Sequence, residues 1–155
     1  MKTSNENFED LIDKEKYQVF VFCCPALVPF NFFRHPWFVI NKKGETHIYE
    51  VGDIKIDSSY LHKDIRPLFI GIEYVRFIKN LYSKARLLGY VEGNEDSVAR
   101  RAVDFIENSE KSYPYCKKYF YTGPNSNTYL QWVLNKFPEF NIKLSWRFIG
   151  KNYRI

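Results

Sequence analysis

Ser126 stands where a polar turn, Gly123-Pro124-Asn125, breaks into an amphipathic segment, Tyr129-Leu130-Gln131-Trp132-Val133-Leu134. A serine hydroxyl is a weak nucleophile and needs an adjacent base. A helix start supplies free N–H groups and a positive partial charge, which suit a developing oxyanion. Two histidines upstream, His35 and His47, lie in strand-like sequence. His35 is a candidate general base and acid, with His47 orienting it or stabilising its charged form. The N–H groups of Ser126 and Asn127 would hold the oxyanion, and the amides of Asn125 and Asn127 are further donors. The simpler alternative is that Ser126 only caps a helix, a role worth about 1 kcal/mol. Gly-x-x-Ser is not the Gly-x-Ser-x-Gly nucleophile elbow, which argues against an α/β-hydrolase.

Whether the histidines share a site depends on the strands that carry them. Pro36 pushes His35 into extended geometry. His35, Trp37 and Val39 then fall on one face of a strand, and His47, Tyr49 and Val51 on one face of the next. The loop at Lys42-Lys43-Gly44 decides whether those faces coincide. An odd loop centred on Lys42 puts His47 opposite Trp37 and diagonal to His35, about 7–8 Å away. A three-residue loop ending in Gly44 moves the histidines apart, and an even loop places them on opposite faces.

The remaining elements follow from periodicity. Residues 17–24 are almost wholly apolar and β-prone, which predicts a buried strand. Residues 37–40 and 46–51 predict two more, with a hairpin between them. Residues 53–67 read as irregular, and 71–77 alternate with the period of a strand. Residues 84–92 lean to strand at their end. Val98, Ala102, Phe105 and Ile106 mark a helix within 95–108, with Asp96 or Ser97 as its cap. The helix from Asn127 stops before Pro138, and 144–149 suggests a last strand. The first fifteen residues are a polar segment with a short helix expected around Phe8, Leu11 and Ile12. The pattern predicts one α+β domain over 1–155 with a mostly antiparallel sheet packed against helices.

Composition narrows the classes. Aromatics make up 19% of the chain, which argues for a packed core rather than disorder. No apolar run is long enough for a membrane span, and the N-terminus lacks the apolar core of a signal peptide, so the cytoplasm is the expected location. Cys23, Cys24 and Cys116 lack metal-ligand spacing, and neither a metal nor a cofactor is expected. His62 reads as a solvated loop residue. The net charge is +5, most one-sided at Lys143, Arg147, Lys151 and Arg154. No nucleic-acid signature accompanies it, although contact with RNA or an anionic membrane through that stretch is a further reading.

His35-Pro36-Trp37-Phe38-Val39-Ile40, His47 and Asn125-Ser126-Asn127-Thr128-Tyr129-Leu130 together resemble the circularly permuted papain-like enzymes of the NlpC-type and lecithin retinol acyltransferase-like superfamily. The spacing of 12 between the histidines and 79 from His47 to Ser126 suits that group. The match is closer still to an uncharacterised bacterial family with HPWFVI-like and GPNSNT-like signatures. The resemblance implies a permuted papain-like fold and a hydrolase or acyltransferase acting on an amide or ester. In it, Ser126 would be the nucleophile, His35 the base and His47 the orienting residue. The family nucleophile is cysteine, however. A site tuned for thiolate chemistry is expected to lose most of its rate with serine. The alternative is an inactive relative whose pocket, lined by Trp37, Tyr129 and Trp132, holds a small-molecule, acyl or peptide ligand without turnover.

Overall fold

The structure is a computed structural model and describes residues 7–154; the first six residues and Ile155 of the single domain expected over 1–155 lie outside it. Tyr17–Pro25 forms β1, Arg34–Lys42 β2, Glu45–Ile56 β3, Ser59–Lys63 β4 and Arg86–Gly93 β5. They make one sheet in the order β4-β3-β2-β1-β5, with every neighbouring pair antiparallel. The helices are α1 (Val98–Glu107), a short α2 (Ser109–Ser112) and α3 (Ser126–Lys136). The α+β class read from the sequence is therefore the architecture.

The apolar run of β1 reflects burial on both sides. Val19, Val21 and Cys23 join Phe38, Ile40, Tyr49 and Val51 under α1 and α3. Phe20, Phe22 and Cys24 join Trp37, Val39 and Ile48 on the other face, covered by Phe8, Ile12, Leu68, Phe69 and Ile72. A strand buried on both faces shows no alternation to read. The covering layer on the second face is a long connection, residues 64–85, with a 3-10 turn at Phe8–Leu11 where a short helix was expected.

Three expected elements differ. Of residues 53–67 only 64–67 are irregular, because β3 runs on to Ile56 and β4 follows after a tight turn at Asp57 and Ser58. Residues 71–77 do not form a full strand: 71–74 pair only briefly with 81–83, through Gly71 N–H to Ser83 O (3.0 Å), Ser83 N–H to Ile72 O (2.9 Å) and Tyr74 N–H to Leu81 O (2.7 Å) around the Glu73–Tyr82 bridge, while Ile72 packs against the sheet. Residues 144–149 lie across the start of β2 without joining the sheet, held there by Arg34 N–H donating to Arg147 O at 3.0 Å. Each segment finds only a short stretch of backbone to pair with, 81–83 for the first and Arg34 for the second, so the pairing stops after a few residues.

The turn between β2 and β3 is two residues long, Lys43 and Gly44, both at positive φ (54° and 97°). That is the geometry of a tight hairpin whose second position favours glycine. The pairs Ile40↔His47 and Val39↔Ile48 follow. The loop is thus even, and it puts His47 on the helix face and His35 on the opposite one.

Candidate functional site

The start of α3 is built around Asn125, not Ser126. Asn125 is the N-cap: its Oδ1 accepts from the N–H groups of Asn127 (3.0 Å) and Thr128 (3.2 Å). Thr128 Oγ1 accepts from Asn125 N–H at 3.1 Å and completes a capping box. Asn125 Nδ2 donates to the carbonyls of Tyr121 (2.9 Å) and Ile149 (3.1 Å). Asn127 Nδ2 donates to Ile149 O as well, at 2.8 Å, and its buried Oδ1 has no partner among the described residues. Gly150 sits at positive φ, and a Cβ there would come within 2.6 Å of Asn125 Nδ2. The two asparagines that sequence suggested as oxyanion donors thus fasten the C-terminal segment to the helix. Ser126 is the first helical residue and is buried.

Ser126 and the two histidines do not form one site. Tyr129 of α3 packs edge-on against Phe38 of β2 at 5.7 Å between ring centres, so α3 lies over the Phe38 face. His35 points from the other face. On the helix side, the next strand position towards Arg34 is Pro36, which carries no base. His47 shares the helix face but stands beside Ile40, further along the strand, where its ring meets Asp64 (2.7 Å) and Glu45 (3.0 Å).

His35 belongs to a different cluster. Its Nε2 lies 2.8 Å from Glu50 Oε2, and Arg66 grips the same carboxylate through Nε and Nη2, each at 2.8 Å. The Arg66 guanidinium stacks over the Trp37 ring at 4.2 Å, a favourable cation–π arrangement. Burial alone would push the Glu50 carboxyl up; the hydrogen bond and charge of His35, followed by those of Arg66, outweigh it and hold it at about 2. Across the strands, Glu50 faces His62, and Cys24 faces His35. His62, expected to be solvated, is buried, and neither ring nitrogen has a partner among the described residues. Cys24 does not turn this cluster into a thiol site: burial pushes its thiol up to about 12, so it stays protonated at neutral pH.

The aromatic residues expected to line one pocket are also divided between the faces. Trp37 is fully buried away from the helices, its Nε1 donating to Leu68 O at 2.8 Å. Tyr129 is a core residue whose hydroxyl shares a hydrogen bond with Ser109 at 2.8 Å. Trp132 packs on Phe105 at 4.5 Å. Each fills a core layer.

The open concavity lies elsewhere, where β1 ends and β5 begins. It is a cleft of about 820 Å³, with Phe8, Phe69 and Leu87 among its walls and Arg34, Lys84 and Arg86 at its charged side. Glu9 is its one carboxylate. None of the three cations pairs with a carboxylate among the described residues. Lys84 and Arg86 escaped the sequence reading because isolated cations before a strand carry no motif. Their signal was two like charges flanking one small residue at the strand entry. Among the described residues, no group of three or more His, Cys, Asp or Glu side chains is placed to hold a metal ion. No helix among them is long and apolar enough to cross a membrane.

The model of one protein family, described as "Protein of unknown function (DUF3750)", matches residues 17–153. No curated protein and no solved structure matches the chain significantly.

Proposed function

The chain belongs to the DUF3750 family, and from its own geometry we propose that it is a binding module for a small anionic amphipath and performs no acyl transfer at Ser126. The cleft at the β1–β5 end carries this reading. Its volume of about 820 Å³ suits a small molecule. Three cations with no carboxylate partner among the described residues, over an apolar wall, match a carboxylate- or phosphate-like head on an apolar tail. In a permuted papain-like interpretation of the fold, α3 would be the nucleophile helix, packed on β2 through Tyr129 and Phe38 at 5.7 Å, while His35 lies on the opposite face of that strand.

Calorimetric titration with laurate tests the binding reading, with dodecanol as the uncharged control. Laurate is expected to bind more tightly than dodecanol. Arg86→Gln is expected to weaken laurate about tenfold, the size of one charge-assisted hydrogen bond, and to leave dodecanol unchanged. Equal binding of the two, or no laurate binding, would sink the proposal. A fluorophosphonate tests the competing hydrolase or acyltransferase reading. No labelling of Ser126 is expected, because His35 and His47 are both engaged elsewhere, with Glu50 and with Asp64 and Glu45, and Ser126 needs an adjacent base. Labelling that disappears in Ser126→Ala would establish the enzyme instead.

A further inference from the structure

The same end of the sheet carries an apolar surface that no core absorbs. Phe77 is 91% exposed and Trp146 69%, with Ile78, Phe30, Phe32 and Tyr121 each between 49% and 64%. They come from separate segments that the fold ties together. The connection 26–33 is fastened to 74–81 by Val28 N–H donating to Tyr74 O at 3.1 Å and by Asn31 Nδ2 donating to Tyr74 Oη at 2.9 Å. Phe77 and Ile78 stand at the tip of that second segment, in a turn closed by Ile78 N–H donating to Val75 O. On the other side, Phe30 meets Tyr121 at 6.2 Å and Phe33 meets Trp146 at 6.4 Å between ring centres. The connection 26–33 therefore links the segment bearing Phe77 and Ile78 to Tyr121 and Trp146, and their exposed side chains make an apolar band at this end. Monomers rarely leave large apolar patches of this kind without a partner.

The charge around the band identifies the partner. Arg147 lies against Trp146 at 5.8 Å, and the cleft cations Arg34, Lys84 and Arg86 open at the same end. Arg76 is also there, paired with Asp53 at 2.6 Å. We propose that this end docks on an anionic membrane surface, with Phe77, Ile78 and Trp146 entering the interface and the cations meeting lipid headgroups. Phenylalanine, isoleucine and tryptophan beside arginine and lysine are the chemistry of interfacial binding, and each cation near an anionic leaflet adds attraction. A second copy of this chain would bring like charges together. Single-stranded RNA would use flat rings and cations, but has no use for isoleucine at a loop tip. The proposal stands whether or not the cleft takes a ligand, since Phe77 and Trp146 do not line it.

Sedimentation of the full chain with vesicles tests it. Binding is expected to phosphatidylcholine vesicles containing phosphatidylserine, weaker to phosphatidylcholine alone, and reduced by salt. The double variant Phe77→Ser with Trp146→Ser is expected to lower partitioning about tenfold. Both positions are so exposed that its circular dichroism and melting midpoint should match those of the parent. Absence of sedimentation with either vesicle, or undiminished binding by the double variant, would overturn the proposal. So would binding to poly(U) in its place, or a dimer in dilute solution that the double variant dissolves.

Discussion

Glu50→Gln is expected to lower the stability of the fold by on the order of 3 kcal/mol, the cost of breaking a buried ion pair from one side. The glutamine keeps the shape but leaves Arg66 against Trp37 without its counter-charge, beside His35. For a domain of this size the melting midpoint should fall by about 6–12 °C. The pH dependence gives the sharper test. The Glu50 carboxyl is held at about 2 in the folded protein against an ordinary value of 4.5. A depressed carboxylate contributes fully above the unfolded value and loses that contribution as pH falls through the folded one. The advantage of the parent over Glu50→Gln should therefore be present above about pH 4.5 and shrink between about pH 4.5 and about pH 2. Glu45, Glu92 and Glu95 are lowered too, each first by a hydrogen bond to His47, Lys16 or Lys43 respectively. They are present in both proteins, so the difference between the two isolates Glu50. Urea denaturation at a series of pH values measures it, and a gap that does not narrow in acid would show that the Glu50 charge is not what holds the cluster.

That cluster marks the limit of what the chain discloses when read as a string. The strand at 17–24, the hairpin after Ile40, the helix capped at Ser97 and the helix before Pro138 were all legible, because turn residues and helical spacing are local signals. Glu50 was not, because nothing near it in sequence announces Arg66, which arrives through a connection that folds back over the sheet. His35 and His47 show the same boundary from the other side. Their spacing is compatible with a shared site under one loop count and incompatible under another. Two residues at positive φ, Lys43 and Gly44, decide between them. A change of one residue in a hairpin turns a whole strand over, so a site spread across two strands is only as predictable as the turn between them. The misjudged segments follow the same logic. Residues 71–77 have the alternation of a strand, but only 71–74 use it, in a short pairing with 81–83 around the Glu73–Tyr82 bridge. In β4, Leu61 and His62 are both buried, on opposite faces, so no alternation betrayed the strand.

Asn125→Ala and Ser126→Ala are expected to separate widely, in the reverse order of what the catalytic hypothesis would rank. Loss of the Asn125 side chain removes the acceptor for two helix N–H groups and the donor to the Tyr121 and Ile149 carbonyls. An N-cap is worth about 1 kcal/mol and each buried hydrogen bond about as much again, so on the order of 3 kcal/mol should be lost. The damage should also spread beyond the helix. Thr128 Oγ1 donates to Gly150 O at 2.8 Å, and Asn127 Nδ2 reaches Ile149 O, so the cap is where α3 holds the C-terminal segment. Backbone amides of α3 and of residues 147–153 should then exchange faster together, while those of β1 and β2 stay protected until global unfolding. Ser126→Ala removes only a hydroxyl from the first helical position. It should change stability by less than about 1 kcal/mol, since the cap remains. Hydrogen exchange on the two variants decides the matter. If Ser126→Ala proves the more damaging, or if Asn125→Ala loosens the helix while leaving the C-terminal segment protected, then the cap is not the latch described. The conspicuous serine would then have a role of its own, beyond its place at the start of α3.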